Sequence, residues 1–219
     1  MDIKLISFAA CPYVHRSTIM LHEKGVPFEI QYIDLANKPA WFLELSPRGK
    51  VPVMITGGVT IFESAVINEF LDETHPPRLL PDDPFQRAVH RAWVEVANDL
   101  FLAHYKLAYA AANKEEYETA RKSGVDVLRR FETMVKGHFF AGETFGLVDA
   151  AVAPALHRFN LLEPHIGSLF DEVPKVRAWA QAIAARPSVV KGVLPEFRNT
   201  YIEGLRNRAG YVSTLLAAA

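Results

Sequence analysis

The fold is indicated most clearly by the segment Leu5-Ile6-Ser7-Phe8-Ala9-Ala10-Cys11-Pro12-Tyr13-Val14. An apolar run ends there, and a cysteine and a proline begin a helical pattern. The residues from Ile3 to Phe8 are typical of a strand. From Tyr13 to Glu23 apolar side chains recur at helical spacing, and Gly25 ends that pattern. Proline is favoured in the first turn of a helix, where its missing N–H costs no hydrogen bond. The sequence therefore predicts a strand that leads directly into a helix, with Cys11 at the junction.

The rest of the first third continues to alternate strand and helix patterns. Apolar and polar residues alternate over one segment, two β-branched runs flank a Gly-Gly pair, and two further segments have helical spacing. The predicted elements are a strand over 28–33, a short helix over 38–45 with Pro39 near its start, strands over 51–55 and 59–62, and a helix over 64–74. The order β-α-β-α-β-β-α is the layout of a thioredoxin-like domain.

A proline-rich segment separates this part from the remainder. Residues 76–84 contain four prolines, which exclude a regular element because proline lacks the N–H and has a fixed φ. Beyond it only long helical patterns occur, and the one over 148–162 is apolar almost all round, as expected for the centre of a bundle. We therefore predict an α/β plus all-α protein, with a thioredoxin-like domain over 1–76, a linker over 77–84 and an all-helical domain over 85–219.

Composition excludes several classes of function. The 219 residues carry 24 Lys and Arg against 25 Asp and Glu, a balance that gives no electrostatic reason for binding nucleic acid or an anionic membrane. No apolar run is long enough for a membrane span, and the short run before Cys11 lacks the length and basic leader of a signal peptide. Eight scattered histidines and one cysteine predict no metal site. We expect a soluble, cytoplasmic protein.

The single cysteine has two interpretations. At the start of a helix, the sulfur of Cys11 faces unpaired backbone N–H groups and the positive end of the helix dipole, which favour the nucleophilic thiolate. His15 and Arg16, one turn further, are expected to add positive potential. The alternative is an ordinary buried cysteine. Since Val14 occupies the place of the second cysteine of a Cys-x-x-Cys pair, any disulfide exchange needs an outside thiol.

Three further positions suggest a peptide-binding edge. Pro52, after Val51, is a candidate cis-proline that would leave the Val51 main chain free to pair with an extended peptide, or else a plain edge-strand proline. Ser64 is expected to cap a helix whose free N–H groups suit a carboxylate, with Glu63 beside it to accept an ammonium group. A capping serine alone is the simpler alternative. Lys38 is either a second carboxylate ligand or a solvated lysine.

The cysteine, the proline and the Glu-Ser pair follow one another along the chain in an order that resembles the cytosolic glutathione transferases, and the resemblance covers nearly the whole length. Cys11-Pro12-Tyr13, where other members have a catalytic Ser or Tyr, is similar to the omega class and its relatives, the dehydroascorbate reductases and the lambda class. Two further segments are also omega-like, Asn37-Lys38-Pro39-Ala40-Trp41-Phe42 and Ser46-Pro47-Arg48-Gly49-Lys50-Val51-Pro52-Val53. In the helical part, Phe145-Gly146-Leu147-Val148-Asp149 matches the family's capping segment, except that Gly146 replaces its hydroxyl residue.

The resemblance implies a glutathione-dependent thiol transferase or reductase, in which Cys11 forms a mixed disulfide with glutathione and a second glutathione resolves it. It implies that glutathione contacts the residues Pro12, Tyr13, Lys38, Val51, Pro52, Glu63 and Ser64. The second partner would be a small electrophile, disulfide or S-conjugate, and the chain a homodimer. Two alternatives stay open: conjugation of glutathione to electrophiles or cleavage of aryl ethers, and a non-catalytic ligand-binding or regulatory role. The second-substrate pocket is expected to include Phe101, His104, Tyr105, Phe197 and Tyr201.

Overall fold

A computed structural model of the chain describes residues 2–217. The predicted domain end at 219 therefore lies two residues outside the described part. The strands are β1 (Ile3–Ser7), β2 (Glu29–Tyr32), β3 (Val53–Thr56) and β4 (Val59–Phe62). The helices are α1 (Pro12–Lys24), α2 (Ala40–Leu45), α3 (Ser64–Thr74), α4 (Pro84–Tyr105), α5 (Lys114–Glu132), α6 (Leu147–Ile166), α7 (Pro174–Ala184), α8 (Pro187–Lys191), α9 (Phe197–Arg206) and α10 (Tyr211–Ala217).

The four strands form one mixed sheet in the order β2-β1-β3-β4. β1 pairs with β2 in parallel, while β3 pairs with both β1 and β4 in antiparallel fashion. Successive strand residues point to opposite faces. Leu5 therefore packs into the main core with α1 and α3, whereas Ile6 and Val53 pack against Phe42 of α2 on the other face. The predicted fold class, a thioredoxin-like domain followed by a helical domain, is confirmed.

Two predicted boundaries are displaced at prolines. The helix expected from Lys38 begins at Ala40, because Pro39 has extended backbone (ψ 146°) and caps the helix from outside. The strand expected from Val51 begins at Val53, after a cis peptide bond between Val51 and Pro52. Both changes leave Lys38 and Val51 in irregular backbone beside the start of α1.

The linker is held against the first domain by a buried ion pair. Lys24 Nζ lies 2.6 Å from the Asp72 carboxylate, and the same carboxylate accepts hydrogen bonds from the backbone N–H groups of Leu79 (2.6 Å) and Leu80 (3.0 Å). A buried carboxylate with several donors and a cation is well satisfied. The path of the chain between α3 and α4 is thereby fixed.

Helix α1 is shared between the two halves of the molecule. One side packs on α3 and the sheet, and the other packs on α6 and α8. The second contact includes hydrogen bonds from Arg16 Nε to the Ala151 carbonyl (2.8 Å) and from Thr18 Oγ1 to the Gly192 carbonyl (2.6 Å). The N-terminus of α1, and with it Cys11, therefore lies at the cleft between the two halves.

The central helix α6 begins as its sequence predicts. Gly146 precedes it with extended backbone, and the Asp149 carboxylate accepts from the Gly146 N–H at 2.7 Å. Asp149 also accepts from the Phe140 N–H (2.8 Å) and the Trp179 Nε1–H (2.6 Å). The aspartate therefore keeps its own half of the capping box, although Gly146 has no hydroxyl for the other half, and ties α6 to α7 and to the loop before it.

Candidate active site

Cys11 is the capping residue of α1. Its backbone is extended (φ −65°, ψ 119°), and its Sγ accepts a hydrogen bond from the Val14 N–H at 3.4 Å. Pro12 follows at the first helical position. The side chain is 2% exposed, yet it forms part of the wall of the largest cavity. The strand-to-helix junction predicted from the sequence thus places the sulfur at the helix N-terminus and at the base of the cleft.

Burial has a larger effect on Cys11 than the helix N-terminus does. Desolvation raises the pKa of the Cys11 thiol above its ordinary value. The Val14 and Tyr13 amides, the Ser7 hydroxyl and the charge of Arg158 all act to lower that pKa, but together they do not offset burial. The expectation that this position favours the thiolate is therefore wrong for the chain by itself, in which Cys11 is a thiol at neutral pH.

The positive charge near Cys11 comes from α6 and was missed in the sequence. His15 is buried and neutral, since desolvation and Arg158 hold its pKa well below 6.5. Arg16 points away, toward Ala151 and Asn98. Arg158 is 1% exposed and donates from Nη2 to the Ala10 carbonyl at 3.0 Å, one residue before Cys11. The predicted contribution of His15 is thus absent, while Arg158 adds to that of Arg16, whose charge also interacts with Cys11.

The largest cavity has a volume of about 720 Å³ and opens between the two halves. The thioredoxin-like half contributes Cys11, Pro12, Tyr13, Lys38 and Val51 to its lining, and the helical half contributes Phe101, His104, Tyr105 and Tyr201. The structure thus brings nine of the predicted site residues to one cavity.

Phe197 differs from the other predicted pocket residues. It is 4% exposed and does not line the cavity. Its ring stacks on Tyr201 at 5.6 Å and lies 4.8 Å from the Arg158 guanidinium carbon. The prediction that Phe197 lines the pocket is therefore wrong, because the side chain lies behind the wall and supports Tyr201 and Arg158.

A smaller cavity of about 180 Å³ adjoins the first and shares Tyr13 and Val51 with it. Pro52, Glu63 and Ser64, the remaining predicted residues, line this second space. Within residues 2–217 neither the N–H nor the carbonyl of Val51 makes a hydrogen bond, so both are free for an extended ligand.

Ser64 does not cap α3 as predicted. Glu63 is the capping residue, and Ser64 is the first helical residue. The φ of Glu63 is 67°, which is unusual for a residue other than glycine. Such backbone costs on the order of 1–3 kcal/mol and is found preferentially at functional sites. The Glu63 carboxylate lies 2.6 Å from Arg48 Nη1 at the surface. A ligand ammonium group would therefore share Glu63 with Arg48.

The helical half presents a buried polar pair to the cavity. His104 Nε2 lies 2.6 Å from the Tyr201 hydroxyl. Burial lowers the pKa of His104 to about 3 and raises the pKa of Tyr201, so both groups are neutral. The pair offers hydrogen-bonding groups without charge in the wall of the cavity.

Among the residues at the site that sequence reasoning missed, four bear on its chemistry: Ser7, Tyr109, Arg158 and Arg208. Ser7 is the last residue of β1, and its buried hydroxyl makes no hydrogen bond in the described chain but acts to lower the pKa of the Cys11 thiol. The other three line the large cavity. Tyr109 occupies a π-helical turn (Lys106–Ala110) that follows α4, a feature that helical periodicity does not reveal.

Across residues 2–217 no three His, Cys, Asp or Glu side chains are grouped so as to hold a metal ion. None of the helices in the described part of the chain is long and apolar enough to cross a membrane. The absence of a resident metal stays a prediction.

Comparison with known proteins decides the family. The model of the glutathione S-transferase N-terminal domain matches residues 10–74, and that of the glutathione S-transferase C-terminal domain matches residues 85–187. The chain belongs to the glutathione S-transferase family. This transferase is similar to omega-class members and to other members of the family. It is 31% identical to glutathione S-transferase omega-1 of Sus scrofa over 85% of this chain and 78% of that one. It is 34% identical to glutathione S-transferase U28 of Arabidopsis thaliana over 94% of each.

Solved structures show the same fold. Glutathione transferase Omega 3C from Trametes versicolor superposes with a TM-score of 0.79 at 32% identity, covering 88% of this chain and 89% of that one. Rice GST1, solved in complex with glutathione, superposes with a TM-score of 0.83 at 28% identity, covering 99% and 97%. This transferase therefore has the two-domain architecture of the family along nearly its whole length.

Proposed function

We propose that the protein is a glutathione-dependent thiol transferase that acts through a glutathionyl mixed disulfide at Cys11. The observation that carries the proposal is the placement of the only thiol in the chain. It caps α1, faces a cavity between the domains, and lies next to the free main chain of Val51. A disulfide-containing tripeptide paired at Val51 would present its sulfur to Cys11.

The binding half of the proposal uses charges at both ends of the tripeptide. Lys38 is exposed at the cavity, close to Gly49, and suits the glycine carboxylate. The N-terminus of α3 suits the other carboxylate, and Glu63 suits the α-ammonium group. Val51 supplies main-chain pairing, while Pro12 and Tyr13 form the wall between the two cavities. These roles follow from the chemistry of each group.

The reaction proceeds in two exchanges. The Cys11 thiolate attacks the glutathionyl sulfur of a mixed disulfide, the S–S bond breaks, and the second thiol leaves as a thiolate. Glutathione thiolate then attacks the glutathionyl sulfur on Cys11, which releases oxidised glutathione and restores the cysteine. Because Cys11 is a thiol in the resting chain, it must lose its proton before attack, and the Val14 amide, Ser7 and Arg158 then stabilise the sulfur anion.

The decisive variant is Cys11→Ala. It should abolish transfer with hydroxyethyl disulfide and glutathione. Full activity in this variant would overturn the proposal. A control, Val14→Ala, retains both the thiol and the backbone amide that contacts it, and should keep most of the activity.

Conjugation is the second candidate, and the raised pKa of Cys11 favours it. A neutral Cys11 thiol can donate a hydrogen bond to glutathione thiolate, which would then attack an electrophile such as chlorodinitrobenzene. Under this alternative Cys11→Ala would retain much of its activity with chlorodinitrobenzene. A non-catalytic role predicts activity with neither substrate and no retention on immobilised glutathione.

The setting and assembly are part of the proposal. A mechanism that borrows glutathione as its second thiol suits a reducing compartment, and we place it in the cytoplasm. α3 and α4 adjoin, since Arg91 Nη2 lies 2.6 Å from Glu69, and they expose Val66 (54%) and Phe85 (81%). Exposed apolar side chains on such a face are typical of an interface between subunits. We expect a homodimer that Phe85→Asp dissociates in sedimentation velocity.

A further inference from the structure

The part of the large cavity that is lined by α4 and α9 forms a slot between these two helices. Leu102 and Tyr105 of α4 line one side, although they are 51% and 54% exposed. Thr200 and Gly204 of α9 line the other. A Cβ added at Gly204 would meet no atom within 4 Å, so the slot is open at this point. Apolar side chains around open, concave space suit a flat organic group.

The π-helical turn gives this slot an aromatic floor. Where α4 passes into the turn over 106–110, Tyr109 joins Tyr105 in the lining. The two rings are nearly parallel, 25° apart with centroids separated by 6.0 Å. Burial raises the pKa of Tyr109, which keeps its hydroxyl protonated. An aromatic ligand can stack against this pair.

The charges that line the cavity all have one sign. They are Lys38, Lys50, Arg158 and Arg208, and no aspartate or glutamate lines it in the described chain. The two lysines lie at the end assigned to glutathione, and Arg158 lies beside Cys11. Arg158 also acts on Tyr109, but it is buried and bonded to the Ala10 and Pro154 carbonyls. Arg208 is the exposed cation at the slot, with its guanidinium carbon 5.2 Å from the centre of the Tyr109 ring. Considering residues 2–217, its side chain has no carboxylate within 4 Å and donates no hydrogen bond.

We infer that the second substrate is an aromatic acid whose ring lies on Tyr105 and Tyr109 and whose carboxylate pairs with Arg208. Arg208 is thereby a specificity-determining residue. A cavity with cations on all sides attracts anions and discriminates against cations. This inference rests on the proposed function, since the aromatic acid would arrive as a thiol joined to glutathione in a mixed disulfide, whose glutathionyl sulfur bonds to Cys11 while the aryl thiolate leaves.

The test compares two mixed disulfides of glutathione, one with 4-mercaptobenzoate and one with 4-mercaptobenzamide. They differ in charge but hardly in shape. In each, attack of the Cys11 thiolate on the glutathionyl sulfur breaks the S–S bond and releases the aryl thiolate. The quantity measured is kcat/KM for the acid divided by kcat/KM for the amide. Comparing this ratio between variants cancels the intrinsic reactivity of the two disulfides.

Arg208→Gln should lower the ratio by about threefold to fivefold, the effect of an ion pair at an exposed rim. Arg198→Gln is the matched control, because Arg198 is an exposed arginine of α9 that lies outside the cavity lining. It should leave the ratio unchanged. Added salt should lower the wild-type ratio toward that of Arg208→Gln. Equal ratios in wild type and Arg208→Gln would overturn the inference.

A second variant tests the slot by shape. Gly204→Leu fills the open space and should raise KM for both aromatic disulfides by more than it raises KM for hydroxyethyl disulfide, which has no ring. Equal effects on all three substrates would contradict an aromatic slot.

Direct binding separates this inference from the proposed function. Titration calorimetry of 2-naphthoate and 2-naphthamide needs no reaction at Cys11. The acid should bind more tightly to wild type, and Arg208→Gln should remove the difference. If that holds while Cys11→Ala remains fully active, the proposed function fails and the slot stands. Equal affinity of the acid and the amide for wild type overturns the slot even if Cys11 is essential.

Discussion

Arg158 Nη2 donates a 3.0 Å hydrogen bond to the carbonyl oxygen of Ala10, so a buried cation of the helical domain holds the backbone one residue before Cys11. A second donor of the same guanidinium, Nη1, binds the Pro154 carbonyl at 2.8 Å within α6. Both acceptors are neutral, so the charge of Arg158 remains available to a sulfur anion at Cys11. The helical domain thus contributes to the chemistry of a residue in the other domain.

Removing this cation should make Cys11 less acidic. Arg158→Met is expected to raise the pKa of the Cys11 thiol further, because both the charge and the support of the Ala10 carbonyl are lost. The rate of iodoacetamide alkylation as a function of pH measures that pKa. Arg158→Lys keeps the charge and should retain most of the wild-type profile. If the two variants give the same profile, the charge of Arg158 does not act on Cys11.

Ser7 should act on the same sulfur from the other side. Its hydroxyl is fully buried, makes no hydrogen bond in the described chain, and acts to lower the pKa of Cys11. Ser7→Ala is expected to slow alkylation of Cys11 at neutral pH by about tenfold, since a hydrogen bond to a charged acceptor contributes about 1.5 kcal/mol. Ser17→Ala, which removes a buried hydroxyl bonded to Asn68, is the control and should leave alkylation unchanged. An unchanged rate in Ser7→Ala would exclude this role.

The three histidines whose pKa is lowered most should make the fold sensitive to mild acid. Burial lowers the pKa of His104 to about 3 and that of His157 to about 4, and it holds the pKa of His15 well below 6.5. The unfolded chain therefore binds more protons below pH 6.5, so the free energy of unfolding falls as pH decreases, by up to about 1.4 kcal/mol per pH unit for each histidine.

Urea unfolding at several pH values between 8 and 5 measures this loss. His104→Gln should flatten the curve below pH 6.5 by removing one of the three contributions. Asp149 acts in the opposite direction below pH 6, because burial raises its pKa to about 6 and its folded form binds a proton first. Stability that does not change between pH 7 and 5 would show that the histidines are not held neutral.

Asp149 should be essential for stability despite its cost in burial. Its carboxylate accepts from the Phe140 N–H, the Gly146 N–H and the Trp179 Nε1–H. Asp149→Ala leaves three buried donors without a partner and is expected to lower the free energy of unfolding by about 3 kcal/mol or more. Asp126→Ala, which removes an exposed carboxylate paired with Arg129, should change it by less than about 1 kcal/mol. Similar losses in both variants would contradict the role of Asp149.

The sequence predicts the elements of the fold well, because their signals are local. The strand before Cys11, the proline after it and Gly25 at the end of α1 each act through their own backbone preferences. The same holds for Gly146 and Asp149 at the start of α6. The predictions that failed, at Lys38 and Ser64, concern boundaries where extended or left-handed backbone takes the capping position.

The site was less accessible to sequence reasoning, because its electrostatics depend on contacts between distant segments. Arg158 is 147 positions after Cys11, and its sequence neighbours indicate only a buried helix. Whether His15 is charged depends on its burial and on Arg158, and its tautomer depends on the Val189 carbonyl, 2.9 Å from its Nε2. That carbonyl only accepts, so Nε2 carries the proton and Nδ1 faces Arg158 with a lone pair. Likewise, burial raises the pKa of the Cys11 thiol and the N-terminus of α1 lowers it. Which effect is larger depends on how completely the helical domain covers the thiol.

The intact mass of the chain after exposure to oxidised glutathione shows whether Cys11 forms a mixed disulfide with glutathione. We expect a gain of one glutathione per chain, located at Cys11, absent in Cys11→Ser and reversed by reduced glutathione. A wild-type chain that stays unmodified while it turns over hydroxyethyl disulfide at full rate would contradict a mechanism through Cys11.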